Sequence, residues 1–199
     1  MAPEFLVVGL GNPGEEYKLT PHNMGFLVVD RLAESNSIRV SRKENMSFVG
    51  LGSVAGKAVA LAQPQTFMNV NGPAIKGLLE RYELTPRQLI VVYDELALPW
   101  GQLRIRTSGS AAGHNGVKSL IGSLGTQEFV RLRIGIRPEK PIGDVARFVL
   151  APFKRAQMQE VEEVVIRSAG AVESILADGA DKAMATYNRR AEGLKNEEE

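Results

Sequence analysis

The sequence has 199 residues, 44% of them hydrophobic and 24% charged, with a formal net charge of +1: an ordinary composition for a globular domain with a proper core. No run of about 18 apolar residues occurs, so no membrane span is expected, and the opening MAPEFLVVGLGNPG lacks the basic start of a signal peptide. Cysteine is absent, which excludes disulfides, thiolate catalysis and cysteine-ligated metals, and a cytoplasmic location is the expectation.

In chain order, Phe5–Val8 reads as a buried first strand that enters a glycine turn. Asn23–Glu34 carries Met24, Leu27, Val28 and Leu32 at helical spacing. Phe48–Val54 and Lys57–Ala62 flank Ala55–Gly56 as a hairpin. A helix runs to about Tyr82, capped by Asn69 or Asn71, with Pro73 tolerated in its first turn. Leu89–Tyr93 and Leu103–Arg106 read as strands, and Ser108–Gly113 as a small-residue loop. Asn115 leads into a helix over Gly116–Leu124, followed by a strand over Arg131–Ile136. A long helix fits Lys154–Ala177, ending near Gly179, while Asp144–Phe153 keeps no assigned element and is placed to act as a flap. The alternation predicts α/β architecture: a single three-layer domain over residues 1–187, with a mixed twisted sheet flanked by helices on both faces. Residues 188–199, whose last nine hold Glu192, Glu197, Glu198 and Glu199 against Lys195, read as a charged, frayed tail.

Gly9, Gly11 and Gly14 have the G-x-G-x-x-G spacing of a dinucleotide-binding loop. That fold needs a helix opening at the third glycine, and Pro21 would break it early. Asp30 falls near the position of a ribose-binding acid, but FLVVDRLAES reads as helix. The glycines therefore read better as a strand-to-loop turn. Gly11 and Gly14 can take positive φ there, and the turn would hold Asn12 at the carboxyl edge of the sheet, where open α/β sheets bind ligands.

Groups able to do chemistry are few. His22 and His114 are the only histidines, each followed by asparagine. Either can be a neutral-pH base or a structural residue. Asp94, with Glu95 as competitor, follows a buried strand and can orient an imidazole; it can equally be a cap or turn residue. Asn69 also sits after a strand. No G-x-S-x-G occurs, and two histidines without cysteine argue against a zinc site. A base, a carboxylate and several amides suit attack by activated water on an ester or amide. Arg104, Arg106, Lys118, Arg131, Arg133 and Arg137 lie between Gly101 and Arg137 with only Glu128 opposing. They mark either a polyanion-binding face or a solvated surface.

Together, VGLGNPGEEYKLTPHNMGF, QPQTFMNVNG, VVYDELALPWG and AAGHNGVKSLIGSLGTQEFVRLRIGI resemble bacterial-type peptidyl-tRNA hydrolase, in the same order, from about Phe5 to Tyr187. The resemblance implies a monomer that uses no metal or cofactor. It cleaves the ester between a peptide and the terminal ribose of tRNA, recycling tRNA from stalled translation. It implies His22 as base, Asp94 as its orienting partner and Asn12 as the amide that helps select a blocked α-amine. Tyr17, Phe67, Asn69 and Asn115 match positions that contact the peptide or the 3′ end, with Met68 and His114 beside them. The tRNA is expected to meet Arg104, Arg106, Lys118 and Arg133 through phosphates. Pro21 stands where the family most often has arginine. Ser110, Ala111 and Ala112 stand in a usually glycine-rich loop, and Ala97 replaces a commonly acidic residue. An RNA-binding relative without hydrolysis is the alternative, and a dinucleotide enzyme another.

Overall fold

A computed structural model describes residues 1–188. The strands are β1 Phe5–Gly9, β2 Arg42–Glu44, β3 Ser47–Val54, β4 Lys57–Pro64, β5 Leu89–Pro99, β6 Leu103–Arg106 and β7 Val130–Arg137. The helices are α1 Met24–Ser35, α2 Gly72–Arg81, α3 Asn115–Leu124, α4 Val145–Leu150, α5 Met158–Asp178 and α6 Ala180–Tyr187. The strands form one seven-stranded sheet of order β2-β3-β4-β1-β5-β7-β6. β1 pairs in parallel with β4 and β5, and β5 with β7; β2–β3, β3–β4 and β6–β7 are antiparallel. The expected mixed sheet and its two helical layers are present.

Period-two alternation distributes the core. Val7, Ile90, Val92, Leu132 and Ile134 face one side and pack under α1 and α5. Leu6, Val8, Leu89, Val91 and Tyr93 face the other and pack under α2 and α3. β1 is covered on both faces, which is why its sequence is apolar at nearly every position.

The glycines of the first turn serve packing. A Cβ on Gly9 would lie 2.1 Å from the carbonyl oxygen of Gly25, and one on Gly25 would lie 2.3 Å from that of Val92. Helix α1 therefore rests directly on the backbone of β1 and β5. Gly11 does not take positive φ, contrary to the sequence expectation; its missing side chain makes room for the Phe26 ring. Gly14 does, at φ +116°. The chain then enters a 3-10 turn over Glu15–Tyr17, not a helix. Asp30 lies on α1 and accepts from Gln63 at 2.7 Å. A dinucleotide has no cradle here.

Other boundaries moved. β5 runs eleven residues and so contains Asp94 rather than ending before it. β1 stops at Gly9, opposite Val92, so Asp94 projects past its neighbour. Asn71 stands at the start of α2 without capping it; its side chain turns to Met68 Sδ. α5 begins at Met158, after a 3-10 turn over Arg155–Gln157. The unassigned segment holds α4, capped by the Asp144 side chain and tied by Phe153 N–H to Leu19 C=O at 2.7 Å. β2 and α6 were not anticipated. On the outer edge, Asn188 grips β6: its Oδ1 accepts from Ile105 N–H at 2.8 Å and its Nδ2 donates to Ile105 C=O at 3.1 Å. The expected tail lies, beyond Asn188, outside the described residues.

Candidate active site

The parallel strands β4, β1, β5 and β7 aim their carboxyl ends at one edge, and a cleft of about 700 Å³ opens there. Asn12 follows β1, Phe67, Met68 and Asn69 follow β4, and Asp94 belongs to β5. His22 comes from the 3-10 turn Pro21–Asn23 that leads into α1. His114 and Asn115 form the start of α3. All of these residues, with Tyr17, line the cleft.

Asp94 is the hub. Its side chain is 3% exposed. Oδ2 faces His22 Nδ1 at 2.8 Å, and Oδ1 faces His114 Nε2 at 3.0 Å. Burial by itself raises a carboxyl group. The two imidazoles more than offset it, by charge when protonated and by hydrogen bond in either state, and hold Asp94 below the usual carboxylate range. With Nδ1 of His22 committed to Asp94, Nε2 is the nitrogen left for the cleft.

Asn12 is fixed from two directions. Asn23 clamps its backbone: Oδ1 of Asn23 accepts from Asn12 N–H at 2.9 Å, and Nδ2 donates to Asn12 C=O at 3.0 Å. The Asn12 side chain accepts from Met68 N–H through Oδ1 at 2.7 Å. A backbone N–H can only donate, so this contact orients the amide. With Oδ1 held this way, the amino group is the donor Asn12 offers a ligand.

The rim is different in kind. Phe67 and Val145 are exposed, and Val145, Ala146, Val149 and Leu150 of α4 form an apolar wall with Leu96. Ala112, also lining, holds φ +47°, a region that favours glycine.

The structure sorts the basic residues. Arg131 is buried over the Phe129 ring and donates to Ser110 and Gln127 carbonyls, so it belongs to the interior, not to a surface patch. Arg133 donates from Nε and Nη2 to Glu95 Oε2, at 3.0 and 2.9 Å, so much of its charge is already paired. Arg104 and Arg106 are half-buried on β6, and Lys118 is exposed on α3.

His22, Asp94 and His114 also offer one ligand atom each within 4.8 Å of one another, a donor set that suits transition metals. Here those atoms satisfy each other: each Asp94 oxygen already meets a ring nitrogen. Sequence reasoning missed Asn23 and the α4 wall. The His-Asn dipeptide occurs twice and does not single out the first; a six-residue helix carries too little periodicity to reveal the second.

The family model described as peptidyl-tRNA hydrolase matches residues 6–196. A peptidyl-tRNA hydrolase of Solibacter usitatus is 56% identical, over 98% of this chain and 99% of its own. One of Aquifex aeolicus is 44% identical, with 93% and 96% covered. A crystal structure of peptidyl-tRNA hydrolase from Acinetobacter baumannii matches with a TM-score of 0.85 at 30% identity, covering 94% of this chain and 96% of that one.

Proposed function

The chain belongs to the peptidyl-tRNA hydrolase family and hydrolyses peptidyl-tRNA; from that premise we propose that His22 is the general base and Asp94 its orienting partner. The observation that carries this reading is the 2.8 Å contact between His22 Nδ1 and Asp94 Oδ2 on the floor of the cleft. Nδ1–H donates to the carboxylate, which fixes the tautomer and leaves the Nε2 lone pair facing a water. That water attacks the ester carbonyl as its proton passes to Nε2. The imidazolium, steadied by Asp94, then returns the proton to the departing ribose oxygen. An ester is already activated, so a base contributing about 10²–10⁴ needs little further help.

With Oδ1 of Asn12 engaged by Met68 N–H, its amino group is the part that suits a carbonyl of the substrate. A peptide or N-acyl group supplies that carbonyl next to the α-nitrogen. A free aminoacyl ester lacks it and would set an ammonium, also a donor, against the Asn12 amino group. Unmet polar groups discriminate strongly, which gives the selector role a physical basis. Tyr17, Phe67, Met68, Asn69 and Asn115 then seat the peptide and the 3′ end. Lys118, Arg104, Arg106 and Arg133 meet the phosphates. The reading includes a monomer working in the cytoplasm. Among the described residues, no helix is long and apolar enough to cross a membrane.

The test is His22→Asn, assayed on N-acylated aminoacyl-tRNA. Turnover is expected to fall by about 10²–10⁴ with the thermal melt preserved. Wild-type turnover in the variant removes His22 from the reaction.

A further inference from the structure

His114 is not a spare copy of His22. It stands at the N-cap of α3, and its Nδ1 accepts from Val117 N–H at 3.3 Å. A ring nitrogen that accepts carries no proton, so in the neutral imidazole the hydrogen is on Nε2. Nε2 faces Asp94 Oδ1 at 3.0 Å. The two contacts thus select one state of the ring, in which it caps the helix at one end and donates to the carboxylate at the other. Tyr93 packs edge-on against the ring at 5.0 Å and keeps it from turning. Unlike His22, His114 has both nitrogens occupied, and nothing is left with which to activate a water.

We propose that His114 is a positioning residue: a locked hydrogen-bond donor that holds Asp94 by the oxygen His22 does not use, its ring 5.0 Å from that of His22, and draws off part of the carboxylate charge His22 would otherwise feel. The proposal rests on His22 being the base. Its consequence is a carboxylate shared between two donors rather than committed to His22 alone. A carboxylate bonded only to His22 would stabilise the imidazolium more strongly and leave less of the enzyme in the reactive form. Few other charges compete. Around the pair, the loop after β1 presents Asn12 and Tyr17, and the segment after β4 presents Phe67, Met68 and Asn69. α4 lines the cleft with Val145, Ala146, Val149 and Leu150. The other acid lining the cleft, Glu95, is bonded to Arg133.

The test is the pH profile of kcat/KM in His114→Asn. Asparagine is a good N-cap, so α3 keeps its start, but the shorter side chain loses the donor to Asp94. The acid limb is expected to move to higher pH by about 0.5–1 unit, with the alkaline plateau kept within a few-fold. A limb that stays in place overturns the proposal. So does a collapse of the plateau by about a hundredfold, because His114 would then take part in the chemistry itself. A wild-type profile with no acid limb would instead fail the base reading of His22, on which this one rests. The wild type gives an independent check. Long-range nitrogen-proton spectra at pH 8 should place the His114 hydrogen on Nε2, and the opposite tautomer overturns the proposal.

Discussion

On the floor of the cleft, His22, Asp94, His114, Asn12 and Asn23 hold one another by hydrogen bonds between strand ends and helix starts. On its rim, Phe67, Val145 and Leu150 stand 59%, 48% and 37% exposed and have only apolar contacts to make. The contrast fits the two demands on such an enzyme. The reacting ester is the same in every substrate, so the groups around it can be set rigidly. The peptide varies, and an apolar wall without directional bonds accepts different side chains at a similar, modest gain.

The sharpest way to break the contrast is at the hub. Asp94→Asn is expected to reduce kcat by about 10²–10⁴, because an amide can hold His22 in the wrong tautomer. The same variant has a stability signature. The folded-state carboxyl lies below its unfolded value of 3.8, so it stabilises the fold above that pH, and this contribution is lost as pH falls through the folded value. The variant should therefore melt lower at neutral pH and lose stability less steeply on acidification from about pH 4. Identical slopes in the two proteins would mean Asp94 adds nothing to stability.

A smaller effect is expected one step from the chemistry. Asn23→Asp keeps the acceptor for Asn12 N–H but loses the donor to Asn12 C=O, leaving a buried carbonyl facing a carboxylate. At about 1–3 kcal/mol for such a loss, turnover should fall roughly tenfold and the preference for N-acylated over free aminoacyl-tRNA should narrow. Unchanged selectivity with lower stability would make Asn23 purely structural. The smallest effect belongs to the rim. Leu150→Ser should raise KM about two- to fivefold with kcat unchanged. A change in kcat would show that the wall takes part in the rigid region after all.

The rigid region was also the more legible one. Asp94 after an apolar run and His22 before a helical pattern could be placed near one sheet edge from the sequence, because strand ends of an α/β sheet converge, but with Glu95 and His114 as competitors only the family resemblance paired them. The five-residue strand Phe5–Gly9 and the hairpin around Ala55–Gly56 were plain for the same reason: their patterns are local. What stayed hidden depends on partners the sequence does not point to. Nothing distinguishes an asparagine facing substrate from Asn23, which faces a backbone earlier in the chain. His114 does line the cleft, as expected, but only the structure shows that its Nδ1 is occupied by Val117 N–H. The fingerprint glycines were ambiguous because close helix packing and phosphate binding ask for the same residue; Pro21 argued against a nucleotide loop in the sequence, and Gly25, pressed onto β5, shows the packing role. β2 and α4 are too short to show a period, and α6 begins only because Gly179, at φ +88°, lets the chain turn after α5.

The grip of Asn188 on Ile105 reaches past the active site. One carboxamide occupies the N–H and C=O that an incoming strand would seek first, so β6 is finished where an open border would recruit another chain. Removing that single side chain would leave the active site intact and create a sticky seam, with self-association rather than lost chemistry as the first symptom.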